Sequence, residues 1–530
     1  MDKMDKIYPI DINGIKNIGV EEWLENYYVP VTGKEFCAIY NNVRTEYMSL
    51  MKKNQDNVIK WIALSNVKVT KIVSMRLLEL LRLSRLKVNG YKVIVGVESE
   101  EISDNTSMVH YAFSKYKSPI IKNLAELTFQ KMTNDILKTL KYNSKSLFSH
   151  GVSFIKNISN PYFFVGNRYA REVVCFCEEN NINPVCLSPT LFAGKSKNHY
   201  GSNFNTSGLI EFANDFLGII RKQYTVIDGL AFECLKKEIN EIFRLSYLFF
   251  CQNVKVFNKF KPKRLLATSL GNPIQRLFCS AWRYAGGEVV GLSHGNTYIN
   301  HYTPEIYTET SIVDVFVTSS RGHKEIVRQA MMDFSPEIEN CKITHSKNNT
   351  NILLFRKLQS VPPVNRIKKI MVVGNVVASY SRIDAEYHTL ARLYHQLEIV
   401  KLLKDNGYYV IYKPRPDSST ETKAIFETYV SEVLTDRFED VYHYADCLLF
   451  SAPYSTTFGF SLLTNKPIVL MNAEGYTWYP RAFELIRKRC SVFDAKPVDG
   501  KIVFKEQDVL AAVQESINNI NYDVLYEFAF

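Results

Sequence analysis

The sequence of 530 residues has no apolar run close to the ~18–20 residues that a membrane-spanning helix needs. The best candidates, residues 245–251 and 467–471, are short and interrupted. The N-terminal residues MDKMDKIYPIDING also lack the apolar core of a secretory signal. We therefore expect a cytoplasmic protein, or one that attaches only peripherally to the inner face of the cytoplasmic membrane.

The ten cysteines show no spacing that is typical of a metal site. Cys175 and Cys177 are separated by one residue, and no second pair follows at zinc-finger spacing. Most of the cysteines stand in apolar runs, which favours buried, reduced thiols. The sequence therefore predicts neither a metal site nor a disulfide scaffold.

Extremes of composition are absent as well. A hydrophobic fraction of 46% and a charged fraction of 22% are ordinary globular values, which exclude disordered and collagen-like chains. The net charge of +11 permits an anionic partner, such as a membrane surface, a nucleotide, a nucleic acid or an acidic glycan. Because no RRM, KH, helix-turn-helix or zinc-finger pattern is present, we do not expect a nucleic-acid partner.

Alternation of apolar runs with helical periodicity begins after the first 57 residues, which we interpret as an N-terminal extension. Apolar runs at 58–64 and 91–97 flank a helical pattern at 72–86 and predict a βαβ unit in a parallel sheet. An N-terminal domain over 58–345 continues this pattern. Its further strands are predicted at 162–165, 184–187, 264–268, 288–293 and 313–318.

Residues 100–150 and 206–260 are predicted to be helical insertions in this domain. Turn signals then indicate a linker at 346–366, followed by a C-terminal domain at 367–500 and a closing helix within 501–530. The C-terminal domain has predicted strands at 369–373, 408–412, 447–450 and 468–470, with helices between them.

The predicted fold class is therefore α/β, with two Rossmann-like domains that face a cleft. The N-terminal domain would lie on the acceptor side, and the C-terminal domain would bind a nucleotide. Ligands of such sheets bind beyond the carboxyl ends of the strands. The candidate residues are therefore those that follow each strand.

A stiff basic turn follows the strand at 408–412. Lys413 and Arg415 alternate with Pro414 and Pro416, whose rings restrict the backbone. Two cations at the carboxyl edge of a sheet are well placed to bind phosphate, although a solvated basic turn would have the same sequence. We interpret Lys413 and Arg415 as phosphate contacts.

A loop rich in hydroxyl groups follows the strand at 447–450. It opens a predicted helix, at whose start backbone N–H groups attract phosphate. Its candidate contacts are Ser451, Ser455, Thr456 and Thr457.

Gly374 and Asn375 follow the first strand of the domain, where a glycine lets the backbone approach a ligand. Neither a dinucleotide-binding fingerprint nor a P-loop is present.

In the N-terminal half, His294 ends a predicted strand that faces the cleft. A histidine can exchange protons near neutral pH, or bind an anion when it is charged. The loop that follows is dense in polar and aromatic residues, and its Glu305 or Glu309 could act as a general base. The residues leave the choice between these three open.

Two stretches resemble a known family. KPKRLLATS…AWRYAGGEVVGLSHGN and GYYVIYKPRP…YADCLLFSAPYSTTFGFSLLTNKPIVLMN are similar to segments of GT-B glycosyltransferases of bacterial capsule and O-antigen synthesis. The second stretch resembles the Lys-x-His-Pro and Ser-Ser/Ser-Thr motifs that hold CMP in sialyl-, polysialyl- and Kdo-transferases. The resemblance covers roughly residues 260–330 and 368–475, under half of the chain.

The resemblance implies a transferase that moves an acidic sugar, a nonulosonic acid or Kdo, from a CMP-activated donor to a surface glycan or glycolipid. It implies nucleotide contacts at Lys413, Arg415, Ser455 and Thr456, a cleft role for His294, and no cofactor besides the donor. One departure is that Arg415 replaces the motif histidine. Arginine binds phosphate but does not donate a proton near neutral pH.

Alternatives on the same fold are a CDP-glycerol-type phosphotransferase, which resembles these enzymes in layout, and a UDP-sugar transferase or 2-epimerase. The phosphotransferase would leave phosphorus in its product. The epimerase would convert a UDP-sugar without an acceptor.

Overall fold

The computed structural model describes residues 6–96, 98–114, 121, 162–166, 171–187, 206–260, 263–268, 270–293, 298–300, 302–334, 341–347, 350–359, 364–374, 383–384, 387–416 and 419–530. In this part of the chain, no helix combines the length and the apolar character that crossing a membrane requires.

The described strands are short and occur along the whole chain. In chain order they are β1 (Lys6–Pro9), β2 (Tyr91–Val95), β3 (Glu100–Glu101), β4 (Tyr162–Val165), β5 (Val185–Cys186), β6 (Arg264–Ala267), β7 (Glu288–Leu292), β8 (Val315–Thr318), β9 (Lys342–His345), β10 (Lys369–Val373), β11 (Ile383–Asp384), β12 (Tyr387–His388), β13 (Tyr409–Lys413), β14 (Glu432–Val433), β15 (Cys447–Phe450), β16 (Ile468–Ala473), β17 (Ser491–Val498) and β18 (Lys501–Val503).

Helices connect and cover these strands. They are α1 (Ile12–Ile18), α2 (Val20–Asn26), α3 (Gly33–Lys53), α4 (Asn57–Ser65), α5 (Val69–Val88), α6 (Asn105–Ser114), α7 (Arg171–Glu179), α8 (Ser207–Gln223), α9 (Gly229–Phe260), α10 (Pro273–Tyr284), α11 (Tyr307–Thr310), α12 (Arg321–Phe334), α13 (Thr350–Leu358), α14 (Thr389–Asp405), α15 (Ser419–Phe426), α16 (Phe438–Val441), α17 (Thr456–Leu462), α18 (Pro480–Arg489), α19 (Glu506–Glu515) and α20 (Asp523–Phe528). In the described part of the chain, 3₁₀ turns lie at Pro304–Ile306 and Tyr442–Tyr444.

Six parallel strands form the N-terminal sheet, in the order β5-β4-β6-β7-β8-β9. Strands β6 and β7 are buried over most of their length, which is why they are short continuous apolar runs in the sequence. The strands that the sequence predicts from residue 162 to residue 318 are confirmed. The sequence does not predict β9, because this partly exposed edge strand has little apolar character.

The C-terminal sheet has seven strands in the order β14-β13-β10-β15-β16-β17-β18. Neighbouring strands are parallel except for the final antiparallel pair, β17 and β18. From β10 the chain proceeds to β13 on one side and then returns to β15 on the other. Two parallel sheets with many helices make this an α/β protein that is compatible with a Rossmann-like fold, whose ligands bind where the strand order reverses.

The predicted βαβ unit near the N-terminus is wrong in two respects. Residues 58–64 lie in helix α4, which begins after Asp56, whose carboxylate accepts hydrogen bonds from the N–H groups of Val58 and Ile59. A short apolar run does not by itself distinguish a strand from a buried helix, and Asp56 is the signal that points to a helix start. Strand β2 pairs with β1 in a separate three-stranded sheet, β1-β2-β3.

Residues of the predicted N-terminal extension, which the structure describes from Lys6 onward, pack into the folded core. Trp23 is fully buried, and its ring lies 6.1 Å from that of Tyr394 on α14. The ring of Tyr27 stacks on Tyr394 at 4.2 Å. The apolar face of α2 therefore packs against the C-terminal sheet through helix α14.

Helix α5 belongs to both cores. Its Val73 and Leu77 are buried in the core of the N-terminal sheet, whereas Leu83 and Leu86 are buried with residues of the C-terminal sheet. One continuous helix thus connects the two halves through packed side chains.

The C-terminal segment also returns to the N-terminal half. Helix α20 follows α19, and the hydroxyl of Ser320, just before α12, donates to the carbonyl of Phe528 at 2.5 Å. A Cβ on Gly322 would lie 1.8 Å from the carbonyl of Glu527, so only glycine allows this approach. The predicted linker at 346–366 contains helix α13, whose Asn351 donates to the carbonyl of Ala529 at 3.2 Å.

We expect the variant Trp23→Ala to lower the free energy of unfolding by roughly 3–5 kcal/mol, because it leaves a cavity in a fully buried site. Urea denaturation followed by circular dichroism measures this change. The control is Val88→Ala, since the Val88 side chain is 84% exposed. Equal stability of the two variants would show that the N-terminal segment is not part of the core.

Candidate functional site

A cavity of about 710 Å³ lies between the carboxyl edge of the C-terminal sheet and the loop that follows β7. The loops after β10, β13 and β15 form one wall. Asn300, residues from the segment 303–309 and one face of helix α3 form the others. The cavity therefore lies where the strand order of the C-terminal sheet reverses, which is the usual ligand position in sheets of this type.

The basic turn predicted as a phosphate contact lies on the first wall. Lys413 is the last residue of β13 and is almost fully buried, and its Nζ donates to the carbonyl of Pro414 at 2.7 Å. Burial lowers the pKa of the Lys413 ammonium, and the nearby Asp436 and Glu439 partly oppose this shift. Arg415 is exposed and lines the same wall.

The hydroxyl-rich loop contributes three of its four predicted residues to the cavity, namely Ser455, Thr456 and Thr457. The Ser455 hydroxyl caps α17 by accepting a hydrogen bond from the N–H of Phe458 at 3.0 Å. Because α17 is only seven residues long, its dipole adds little attraction for an anion. The hydroxyl and N–H groups of Thr456 and Thr457 are then the groups available to a ligand.

Ser451 is the exception, because it lies beneath the loop and not on the cavity wall. Its hydroxyl accepts a hydrogen bond from Nε2 of Gln396 at 3.0 Å, and its carbonyl accepts one from the hydroxyl of Tyr476 at 2.9 Å. The side chain is fully enclosed by these neighbours. The structure therefore gives Ser451 a supporting position and does not place it at a ligand.

Gly374 lines the cavity, but packing also explains why this residue is a glycine. A Cβ here would lie 2.7 Å from the Tyr412 hydroxyl and 3.1 Å from the carbonyl of Lys413. The N–H of Gly374 donates to the same carbonyl at 2.8 Å. The neighbouring Asn375 and the candidate His294 lie outside the described residues.

The two candidate carboxylates line the opposite wall. Glu305 is the middle residue of the 3₁₀ turn Pro304–Ile306 after β7, and its Oε1 accepts a hydrogen bond from Lys71 Nζ at 2.8 Å. Glu309 lies one turn further on, in α11. The cavity thus has cations on the wall of the C-terminal sheet and carboxylates on the wall of the N-terminal half.

Two bonds hold these walls together across the cavity. The buried Tyr298 donates its hydroxyl to the carbonyl of Gly459 at 2.8 Å. Nδ2 of Asn300 donates to the carbonyl of Ser455 at 3.4 Å. The loop after β7 is therefore joined directly to the start of α17.

Sequence reasoning misses several residues that line the cavity. Helix α3 contributes Phe36, Cys37, Tyr40 and Asn41, and the C-terminal half adds Arg392 and Arg437. The helix itself could be found from the capping box of Thr32 and Glu35. No local signal indicates that this helix packs beside a sheet several hundred residues away.

A buried polar network supports the cavity from below. Gln396 accepts a hydrogen bond from the Tyr412 hydroxyl at 2.8 Å and donates to Ser451. The adjacent His395 is fully buried, and this burial lowers the pKa of its imidazole to about 3, with the charge of Arg392 adding to the shift. His395 is therefore neutral at physiological pH.

No protein-family model matches the chain, and a search of curated proteins finds no match either. Among the described residues, no cluster of three or more His, Cys, Asp or Glu side chains is placed to hold a metal ion. The functional assignment accordingly depends on the geometry of the cavity.

We expect the variant His395→Gln to flatten the acid limb of the stability curve. In the unfolded chain the imidazole has a pKa of 6.5, whereas in the folded protein its pKa is about 3. Between these values only the unfolded state binds the proton. The stability contribution is therefore present above pH 6.5 and is lost as the pH falls toward 3, by up to about 1.4 kcal/mol per pH unit.

Urea denaturation near pH ~7.5 and pH ~5 measures this effect. The wild-type protein should lose more stability than His395→Gln between the two conditions. The exposed His110 supplies the control variant His110→Gln, which should behave as the wild type does. Equal losses in wild type and His395→Gln would contradict the assignment.

Proposed function

We propose that the chain is a GT-B glycosyltransferase that moves an acidic sugar, a nonulosonic acid or Kdo, from a CMP-activated donor to a surface-polysaccharide glycan. The observation that carries the proposal is the cavity itself. It brings Lys413, Arg415 and the hydroxyls of Thr456 and Thr457 opposite the carboxylates. Such a cavity can hold an anionic donor on one wall and deprotonate an acceptor hydroxyl at the other.

On the donor wall, the cations would act on the departing nucleotide phosphate. When the bond between the sugar and the phosphate breaks, negative charge increases on the phosphate oxygens. The guanidinium of Arg415 offers two parallel N–H donors, and the ammonium of Lys413 supplies a partly desolvated charge. A phosphate leaving group needs charge stabilisation more than it needs a proton, so Arg415 can serve where related motifs have histidine.

On the acceptor wall, we assign the general base to one of two carboxylates, Glu305 or Glu309. A base must take up the proton of the attacking hydroxyl, and both of these side chains line the cavity. The ammonium of Lys71 is bonded to Glu305. His294 stays an alternative candidate for this step.

The proposed subcellular location is the cytoplasm. Peripheral contact with the inner face of the cytoplasmic membrane would bring the protein to a lipid-linked glycan that it extends. The basic net charge of +11 supports contact with an anionic surface. A nucleotide donor, a glycan or glycolipid acceptor and no further cofactor complete the proposal.

We expect CMP to raise the melting temperature of the purified protein more than UDP or GDP does, since a ligand that binds only the folded state stabilises it. The variants Arg415→Ala and Lys413→Met should each weaken CMP binding roughly tenfold or more, because each removes a charged phosphate contact. Calorimetric titration measures the affinity. The methionine preserves most of the buried lysine stem.

The matched control is Arg487→Ala, which removes an exposed cation of α18 outside the cavity. Its CMP affinity should equal that of the wild type. Two results would contradict the proposed donor site at Lys413 and Arg415. The first is that none of CMP, CDP and UDP binds, and the second is that Arg415→Ala binds CMP with the affinity of the wild type.

We expect one of the variants Glu309→Gln and Glu305→Gln to lower sugar transfer by roughly 10²–10⁴-fold while CMP binding is retained, because the amide cannot accept the proton. The variant with the larger loss identifies the base. Transfer from a CMP-sugar to an acceptor glycan, followed by mass spectrometry, measures both. Full activity of both variants would overturn the assignment of the base to a carboxylate, and phosphorus in the product would favour the CDP-glycerol-type phosphotransferase.

A further inference from the structure

Arg392 is a cation of the cavity to which the sequence motifs assign no role. It lies in the first turn of α14, and the residue is only 7% exposed although it lines the cavity. A positive charge in the first turn of a helix is unfavourable for the helix dipole. The position of Arg392 is therefore not explained by the stability of its own helix.

The position of Arg392 relative to the strand ends follows from its neighbour on the same helix face. Gln396 lies four residues on and bonds both Tyr412 and Ser451, which stand at the carboxyl ends of β13 and β15. Arg392 lies one turn closer to the start of α14, and it shares the cavity with Gly374 and Lys413. Arg392 therefore lines the wall that would hold the donor.

This wall carries more positive charge than one phosphate group needs. The cations that line it are Lys413, Arg415, Arg392 and Arg437. Among the described residues that line this wall, Glu439 is the one acid, and it lies 4.0 Å from Arg437. The neighbouring His395 is neutral and adds no charge. A phosphodiester brings a single negative charge, so the wall suits a ligand with two anionic groups.

We propose that Arg392 binds a second anionic group of the donor, separate from the phosphate held by Lys413 and Arg415. This inference rests on the proposed function and deepens it by naming the substrate class. The second group is either the carboxylate of an acidic sugar linked to CMP or the second phosphate of a nucleoside diphosphate. Both offer two oxygens to a guanidinium in the same paired geometry.

The test compares three probes by calorimetric titration. The methyl ester of CMP carries one anionic phosphodiester, CDP adds a second phosphate, and CMP-N-acetylneuraminate adds a carboxylate. In Arg392→Gln, the affinity for one of the two larger probes should fall roughly ten- to a hundredfold relative to the methyl ester. The probe that is affected identifies the second group.

Ratios of affinities measured within one variant do not depend on how much of that variant is folded. Arg392→Lys keeps the charge but loses the paired donors, so its ratio should lie between those of wild type and Arg392→Gln. If Arg392→Gln does not fold, the affinity ratio of Arg392→Lys tests the role of Arg392 in its place. Lys404→Gln removes an exposed cation from the same helix and should leave every ratio unchanged.

Equal loss of affinity for all three probes, or no loss for any of them, would overturn the role of Arg392. The proposed donor site would survive that result as long as the wild type binds the methyl ester of CMP. If the wild type binds none of the probes, the proposed function fails and this inference fails with it.

Discussion

Packing of the N-terminal helices into both cores is the constraint on which the cavity depends. Helix α5 buries Val73 and Leu77 with one sheet and Leu83 and Leu86 with the other, so a movement between the sheets would expose apolar surface. Helix α20 adds a second connection through Ser320 and Phe528. These connections hold the loop after β7 against α17 and give the cavity its two facing walls.

The two walls of the cavity differ in the charge of the side chains that line them. Cations follow the strand ends of the C-terminal sheet, whereas Glu305 and Glu309 lie on the segment that follows β7. A ligand with negative charge is attracted to the first wall. On the second wall, the ammonium of Lys71 is bonded to Glu305.

Prediction from sequence succeeds where burial makes a strand a continuous apolar run. Strands β10 and β15 are buried along their length, and the sequence locates both. Prediction fails where the same signal has two interpretations, as at residues 58–64, which form a helix capped by Asp56. It also fails at β9, where an edge strand with few apolar residues gives no run to detect.

The sequence by itself determines the α/β class, most strands of the two large sheets, and the grouping of Lys413, Arg415 and the threonines at strand ends. These features are local, because a residue that follows a parallel strand must lie at the edge of the sheet. Tertiary structure alone decides that Ser451 supports the loop from below, and that α3 and Arg392 line the cavity. Those positions depend on contacts between segments hundreds of residues apart, which no local periodicity records.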